Sequence, residues 1–127
     1  MIYSLTTRDE SRMHGVHPEL VMVVKMAIYK SPLQFFVIEG LRNIERQKIL
    51  VDSGASQTMN SRHLTGHAID LGAMVDSDVR WDWPLYDKIA KSMKDAAKEI
   101  NVPIVWGGDW KTFKDGPHFE LDRKRYP

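Results

Sequence analysis

Two short polar clusters carry the residue types that could do metal chemistry, and they lie far apart in the chain. The first, Ser61–Leu71, places His63 seven residues before Asp70 and runs into a short apolar stretch. The second, Asp115–Leu121, has the sequence DGPHFEL and contains His118. Imidazole and carboxylate groups are common protein ligands of zinc. We therefore hypothesise that the two clusters together hold one catalytic zinc ion.

The strand pattern around each cluster predicts how they could meet. Residues 68–71 alternate as a strand does, and successive side chains of a strand point to opposite faces. Asp70 then points away from the core that its apolar neighbours enter. In the second cluster the same alternation turns His118 and Glu120 to the polar face. Adjacent strands would set Asp70 beside His118, with His63 reaching in from the preceding loop and one tetrahedral position left for water.

Length and composition restrict the class of protein. The 127 residues are enough for one domain with a real core. A hydrophobic content of 43%, a charged content of 28% and a net charge of +1 are typical of a soluble globular protein and give no reason to expect nucleic-acid binding. The chain has no cysteine, so a metal site would have to use histidine and carboxylate ligands. No stretch has the length of a membrane span, and the N-terminus does not read as a signal peptide.

Helical and strand patterns alternate around the two clusters. The predicted helices lie at about 4–13, 18–30, 43–52 and 83–100, and the predicted strands at 33–38, 68–71, 104–106 and around His118. Residues 72–82 are expected to form a surface excursion. The pattern predicts one α+β domain over residues 1–127, with helices packed on a small, mainly antiparallel sheet and the zinc site on the polar face of that sheet.

Three motifs of this chain resemble those of one known family. The first is Ser-x-His-x-x-Gly-x-Ala-x-Asp, matched by Ser61, His63, Gly66, Ala68 and Asp70. The second is an acid three residues before a final histidine, here Asp115 and His118; the third is Gly-x-Arg before a helix with a glutamine, here Gly40, Arg42 and Gln47. These motifs are similar to those of the zinc D-Ala-D-Ala carboxypeptidase superfamily, most closely its phage endolysin branch, the L-alanyl-D-glutamate peptidases. The resemblance implies a hedgehog/D-Ala-D-Ala peptidase-like fold.

The resemblance also implies a role for each matched residue. His63, Asp70 and His118 resemble the zinc ligands of the family, Asp115 its general base, and Arg42 the arginine that stabilises the oxyanion. Ser61 and Gln47 are expected near the substrate or behind the site. Glu120 is a rival for the base, although its place two residues after His118 on one face favours orienting that ligand. His14, His17 and His67 are expected to be structural, and Trp106 and Trp110 to be packing residues.

The function implied is hydrolysis of the L-Ala–D-Glu amide in the stem peptide of bacterial peptidoglycan, during lysis of a host by a phage. The expected enzyme is a monomer without a separate cell-wall-binding domain. It would be made in the host cytoplasm, would not insert into the membrane, and would reach the wall through a pore. A D-Ala-D-Ala carboxypeptidase or dipeptidase of the same fold is an alternative. A non-enzymatic wall-binding module with a structural metal site is another.

Overall fold

Four helices and five strands alternate along residues 2–127, the part of the chain that this computed structural model describes. The helices are α1 (Thr7–Arg12), α2 (Pro18–Lys30), α3 (Ile44–Asp52) and α4 (Trp83–Glu99). The strands are β1 (Gln34–Glu39), β2 (Ala68–Val75), β3 (Asp78–Arg80), β4 (Ile104–Trp106) and β5 (His118–Leu121). Two short 3₁₀ turns, Arg62–Thr65 and Gly107–Asp109, precede β2 and follow β4.

Three of the four helices, α1, α2 and α3, begin at side-chain caps, whereas α4 begins without one. Thr6 and Asp9 form a capping box at the start of α1, in which each side chain bonds the backbone of the other residue. The His17 Nδ1 accepts a hydrogen bond from the backbone at the start of α2, directly before Pro18. The Asn43 side chain caps α3 in the same way. These local signals explain why the predicted helices agree with the observed ones to within a few residues.

The sheet is antiparallel at every pairing, in the order β1-β2-β5-β4, and β3 pairs with the far half of β2. The prediction of a surface excursion over 72–82 was wrong for its first half. Gly72 and Ala73 are buried and continue β2 opposite β1. Small side chains give a weak strand signal, and the turn comes only at Asp76 and Ser77, both with positive φ.

One face of the sheet packs against α2 and α4 to form the core. Ile69, Leu71 and Phe119 on this face are completely buried, as the alternation predicted. The opposite face carries Asp70 and His118, which are directly paired across β2 and β5. The predicted α+β architecture is therefore confirmed, with the polar face of the sheet free to carry a site. No helix within residues 2–127 combines the length and the apolar character needed to cross a bilayer.

Two glycines allow close backbone approaches beside the polar clusters. Gly66 ends the 3₁₀ turn of His63 with a φ of 76°, and a Cβ there would collide with the carbonyl oxygen of Gly15. Gly107 lies beneath Asp115, where a Cβ would collide with the Asp115 carbonyl oxygen. A larger residue at Gly107 would collide with Asp115, and a larger residue at Gly66 would disturb the end of the turn that carries His63.

Candidate metal centre and active site

Three side chains from separate elements converge on the polar face of the sheet. Asp70 on β2 and His118 on β5 are register partners, and His63 enters from the 3₁₀ turn before β2. The Asp70 Oδ1 lies 3.2 Å from the His63 Nε2 and 3.3 Å from the His118 Nδ1. One donor atom from each residue lies within 4.8 Å of the other two. The three residues therefore form a group that could hold a metal ion.

The outer nitrogen of each imidazole is already bonded to an acceptor. The His63 Nδ1 lies 2.8 Å from the Gly40 carbonyl oxygen, and the His118 Nε2 lies 2.8 Å from the Glu120 Oε1. Each outer nitrogen therefore carries a proton, and in a neutral imidazole the inner nitrogen keeps its lone pair. The lone pairs of the His63 Nε2 and the His118 Nδ1 then face the negatively charged Asp70 carboxylate. These three groups repel one another unless a cation lies between them. A zinc ion fits this donor set, because ligating histidines usually donate their second N–H in this way.

The electrostatics of the donor group agree with a cation-binding centre. Burial alone would raise the pKa of Asp70, but its hydrogen bonds to His118 and His63 outweigh burial and hold that pKa well below the usual range. Burial would lower the pKa of His118, but hydrogen bonds to Asp70 and Glu120 raise it to about 9. In the metal-free protein, a second proton on the His118 ring therefore supplies the positive charge that balances the Asp70 carboxylate.

Arg42 lies at the edge of this centre and is held from two sides. Its Nη2 lies 3.6 Å from the Asp70 Oδ2, its Nη1 donates to the Gln47 Oε1 at 2.8 Å, and its Nε donates to Glu39. Gln47 is fully buried, and its Nε2 donates to the Ser56 Oγ and the Thr58 carbonyl oxygen. Gln47 thus ties the guanidinium to the loop between α3 and the 3₁₀ turn. It supports Arg42 from behind.

Asp115 lies at the exposed rim of the cleft, in the turn that leads into β5. Its backbone N–H donates to the Gly107 carbonyl oxygen at 3.1 Å, and its own carbonyl accepts from the His118 N–H at 3.2 Å. The carboxylate makes no hydrogen bond or ion pair with another side chain among residues 2–127. Partial burial and the charge of Asp70 raise the pKa of Asp115, against the opposing charges of His118 and His63. The Asp115 carboxylate therefore lies beside the donor group and is not paired with another side chain of residues 2–127.

Glu120 lies on the far side of His118. Its Oε1 bonds the outer nitrogen of that ring, and its Oε2 lies 3.6 Å from the Arg123 Nε. Burial would raise the pKa of Glu120, but the hydrogen bond and charge of His118 lower it. Both oxygens therefore have partners, and the geometry suits orientation of the His118 ring.

The cleft around the donor group is open and has a volume of about 610 Å³. Ser61 lies in its wall, and its Oγ accepts a hydrogen bond from the His63 N–H at 3.2 Å. Trp110, which the sequence predicted to be a packing residue, also lines the cleft, with its ring centroid 5.1 Å from that of His118. The cleft-lining residues that sequence reasoning missed include Glu39, Phe113, Lys114 and Arg123.

Glu39 is the clearest of these omissions. The pairing of β1 with β2 shifts between Val37 and Glu39, and this β-bulge sets Glu39 opposite Asp70. Bulges re-aim a side chain in this way, but nothing in the strand pattern marks one here. A carboxylate three residues before Arg42 is the only signal that could have pointed to it.

The other histidines lie outside the donor group. His67 bonds the Thr65 Oγ1 at 2.7 Å, and its ring centroid lies 5.7 Å from that of His17. His14 is exposed in the turn after α1. Their places agree with the structural roles expected for them.

An antiparallel sheet covered by helices on one face, with two imidazoles and a carboxylate that could hold a metal facing an open cleft on the other, places the chain in a class of protein: the α+β hydrolase domains. Within that class, this chain belongs to the phage L-alanyl-D-glutamate peptidase family, whose pattern matches residues 1–126. The family expected from the three motifs is confirmed.

Named relatives have similar sequences. The chain is 39% identical over 94 residues to the L-alanyl-D-glutamate peptidase of Listeria phage A118. The aligned region covers 74% of this chain but only 32% of that relative. It is 28% identical to the L-alanyl-D-glutamate peptidase of Escherichia phage T5, over 99% of this chain and 94% of the relative. It is also 28% identical to the peptidoglycan L-alanyl-D-glutamate endopeptidase CwlK of Bacillus subtilis strain 168, over 87% of this chain and 74% of CwlK.

Solved structures confirm the fold. The crystal structure of the Serratia marcescens L-Ala D-Glu endopeptidase ChiX superposes with a TM-score of 0.93 at 48% identity, over 99% of this chain and 95% of ChiX. The vancomycin-resistance D,D-dipeptidase VanXYg superposes with a TM-score of 0.59 at 22% identity, over 84% of this chain and 50% of that chain. At that identity, the second likeness concerns the fold alone.

The raised pKa of His118 gives a pH test of the metal centre. In the metal-free protein His118 has a pKa of about 9, whereas an unfolded histidine has about 6.5. The folded state therefore binds more protons between these values, so stability falls as the pH rises through this window. Zinc must displace the His118 proton, so its stabilising effect grows over the same window.

We expect the melting temperature of the chelator-treated protein to drop by roughly 5 °C between pH 6.5 and 9.5, equivalent to about 1–2 kcal/mol. The difference between zinc-loaded and metal-free protein should widen over this range. Differential scanning calorimetry at several pH values measures both quantities. His118→Gln is the control and should flatten the metal-free curve; an equally steep curve in that variant would assign the pH dependence to another group.

Proposed function

We propose that this chain is a zinc-dependent endopeptidase that hydrolyses the amide between L-Ala and D-Glu in the stem peptide of bacterial peptidoglycan. The observation that carries the proposal is the convergence of three donor atoms within 4.8 Å of one another, in an open cleft of a chain from a family of such peptidases. Relatives along nearly the whole chain are named for this bond. His63, Asp70 and His118 are the proposed ligands.

The proposed hydrolysis assigns one role each to the zinc ion, to Asp115 and to Arg42. When bound, zinc acts as a Lewis acid and makes water nucleophilic at neutral pH. Asp115 takes a proton from the attacking water and passes it to the leaving amine of D-Glu, because its carboxylate is unpaired and adjoins the donor group. Arg42 donates to the carbonyl oxygen as negative charge develops there. The guanidinium is held for this task by Glu39 and Gln47.

A purely structural metal site fits the donor group less well. Structural zinc is usually closed by four protein ligands. Within residues 2–127, the donor group contains three members. Glu120 is engaged with the outer nitrogen of His118, and His67 is bonded to Thr65. The geometry therefore supports a centre with room for water and substrate, which is what catalysis needs.

The biological setting follows from the substrate. An enzyme with this activity acts on the peptidoglycan layer, outside the membrane. The relatives from phages support a role in opening the wall of an infected host. In this setting the protein accumulates inside the host and acts once the membrane is opened by another component.

The decisive experiment is a digest of purified peptidoglycan, analysed by mass spectrometry. The expected products are glycan strands that keep only L-Ala on the lactyl group, and released peptides with D-Glu at the N-terminus. Release of terminal D-Ala alone would replace the proposed activity with a D-Ala-D-Ala carboxypeptidase activity. Binding to the wall with no product at all, by zinc-loaded protein, would support the wall-binding module. Protein treated with a chelator is the matched control.

A further inference from the structure

A second depression lies beside the catalytic cleft, on the other side of the turn that carries Asp115. It is lined by Trp83, Asp87, Trp106, Gly108, Asp109 and Lys114, and has a volume of about 500 Å³. Lys114 also lines the catalytic cleft, so the two depressions meet at this residue. Nothing in the proposed hydrolysis of the stem peptide uses the indole side chains of this second depression.

Two indole rings form the wall nearest to the catalytic turn. The Trp106 Nε1 donates to the Gly116 carbonyl oxygen at 2.7 Å, and the Trp83 ring lies 3.2 Å from the place that a Cβ of Gly116 would occupy. The two rings meet edge to face, with centroids 6.3 Å apart. Gly116 directly follows Asp115. The aromatic wall is therefore one residue away from the proposed base.

Trp83 is fixed on one side and open on the other. It is 47% exposed although it sits at the first turn of α4, whereas Trp106 is buried. A tryptophan that served packing alone would be expected to lose most of its exposed surface. Asp87, Asp109 and Lys114 also line the depression, and the Asp109 carboxylate is ion-paired at 2.7 Å with Lys94, whose ammonium lies 5.1 Å from the Trp106 ring centroid. An aromatic face ringed by hydrogen-bonding groups suits a sugar, whose ring has an apolar C–H face and hydroxyls at its edge.

The connectivity of the proposed substrate requires a sugar close by. In peptidoglycan the amino group of L-Ala is joined to the lactyl group of an N-acetylated muramic acid. The glycan thus begins one residue before the scissile bond, within roughly 7–10 Å at about 3.5 Å per residue of extended chain. The second depression adjoins the catalytic cleft at Lys114, which makes it a candidate for this sugar.

We propose that the depression walled by Trp83 and Trp106 binds the N-acetylated sugar of the glycan strand to which the scissile stem peptide is attached. This inference rests on the proposed function. The pyranose packs its C–H face on the exposed indole of Trp83, and its polar groups bond the surrounding carboxylates and Lys114. The enzyme then recognises peptide and glycan together and prefers stems that are still on the strand.

The test compares two substrates that differ only in the sugar. One is a stem tripeptide with an acetylated L-Ala, and the other is the same tripeptide on its disaccharide. Wild-type enzyme should favour the sugar-bearing substrate in kcat/KM by about tenfold, equivalent to about 1.4 kcal/mol. Trp83→Ala should reduce this ratio to near one, mainly through KM, and Trp83→Phe should restore part of it. Because the ratio is the readout, any shift of Asp115 that harms both substrates equally cancels.

Trp81→Ala is the matched control, because Trp81 is 60% exposed but does not line the depression. It should keep the wild-type ratio. A ratio unaffected by Trp83→Ala, or lowered as much by Trp81→Ala, would overturn the proposal. So would a wild-type dimer, seen by light scattering, that Trp83→Ala dissociates, because the depression would then bind a second copy of the chain.

Failure of the proposed function is distinguishable from failure of the glycan site. If neither substrate is cut between L-Ala and D-Glu, the proposed peptidase activity is wrong. The glycan site is then tested with the peptide-free disaccharide, by nuclear magnetic resonance titration of the indole N–H signals at millimolar concentration. A saturable shift that Trp83→Ala removes supports the site, and no shift in the wild type refutes it.

Discussion

Replacing His63 with alanine should remove the bound zinc and reduce peptidoglycan cleavage by more than roughly 10³-fold, because the metal supplies several kcal/mol of transition-state stabilisation. His63 is buried, and its Nε2 faces the Asp70 carboxylate at 3.2 Å. The variant leaves one imidazole and one carboxylate, which is too few protein ligands for a catalytic zinc site. The measurements are metal content by mass spectrometry after dialysis and the rate of cell-wall clearing.

The chain offers a matched control four residues further on. His67 lies just after the same turn but bonds Thr65 and contacts His17 instead of the donor group. His67→Ala should therefore keep zinc and activity close to the wild type. Calorimetry of both metal-free variants separates loss of metal from loss of fold. A His63→Ala protein that still holds zinc and clears walls would remove His63 from the centre, whatever its place in the structure.

The sequence was sufficient to predict the part of the site that depends on strand parity. Side chains on a strand alternate with a period of two, so Asp70 and His118 had to lie opposite to the apolar residues that flank them. Those apolar residues, such as Ile69 and Phe119, are completely buried. Burial of one face fixes the register of a strand, because a slip of one residue would expose the core. The observed pairing of Asp70 with His118 is one of the registers that this constraint allows, because a slip by two residues would keep the same faces.

The parts that could not be predicted depend on long-range contacts. The β-bulge that turns Glu39 toward Asp70 leaves no mark in the hydrophobic pattern. The bonds of Gln47 to Arg42 and to the loop at Thr58 depend on how α3 docks, which local propensity does not determine. The contact of Trp83 with Gly116 joins two segments more than thirty residues apart. Single-sequence patterns report local structure and burial, and such contacts are set by tertiary packing.

The geometry also bears on which acid serves as the base. The sequence favoured Asp115, which lies three residues before His118 as in the family motif, and left Glu120 as its rival. The Glu120 carboxylate bonds the outer nitrogen of the His118 ring and approaches Arg123. The Asp115 carboxylate lies at the cleft rim with no side-chain partner among residues 2–127. A proton carrier must reach the substrate and change its charge freely, and these conditions favour Asp115.

Asp115→Asn should therefore lower kcat by roughly 10²–10⁴-fold while leaving zinc content and melting temperature near those of the wild type. Asparagine keeps the size of the side chain but cannot accept a proton. Asp115 lies at the exposed rim of the cleft, and its carboxylate has no side-chain partner among residues 2–127, so a neutral amide of the same size should cost little stability. Asp95→Asn is the matched control, because Asp95 forms an exposed ion pair with Lys91 on α4 and lines neither depression.

Glu120→Gln separates the two acids by a different readout. Because Glu120 orients the His118 ring, this variant should lower zinc affinity by about 10–100-fold and recover much of its activity when zinc is added in excess. Asp115→Asn should not recover under the same conditions, since its metal centre is intact. Zinc titrations of kcat for the two variants make the comparison. If excess zinc restores Asp115→Asn and leaves Glu120→Gln inactive, the two carboxylates exchange roles and Glu120 is the base.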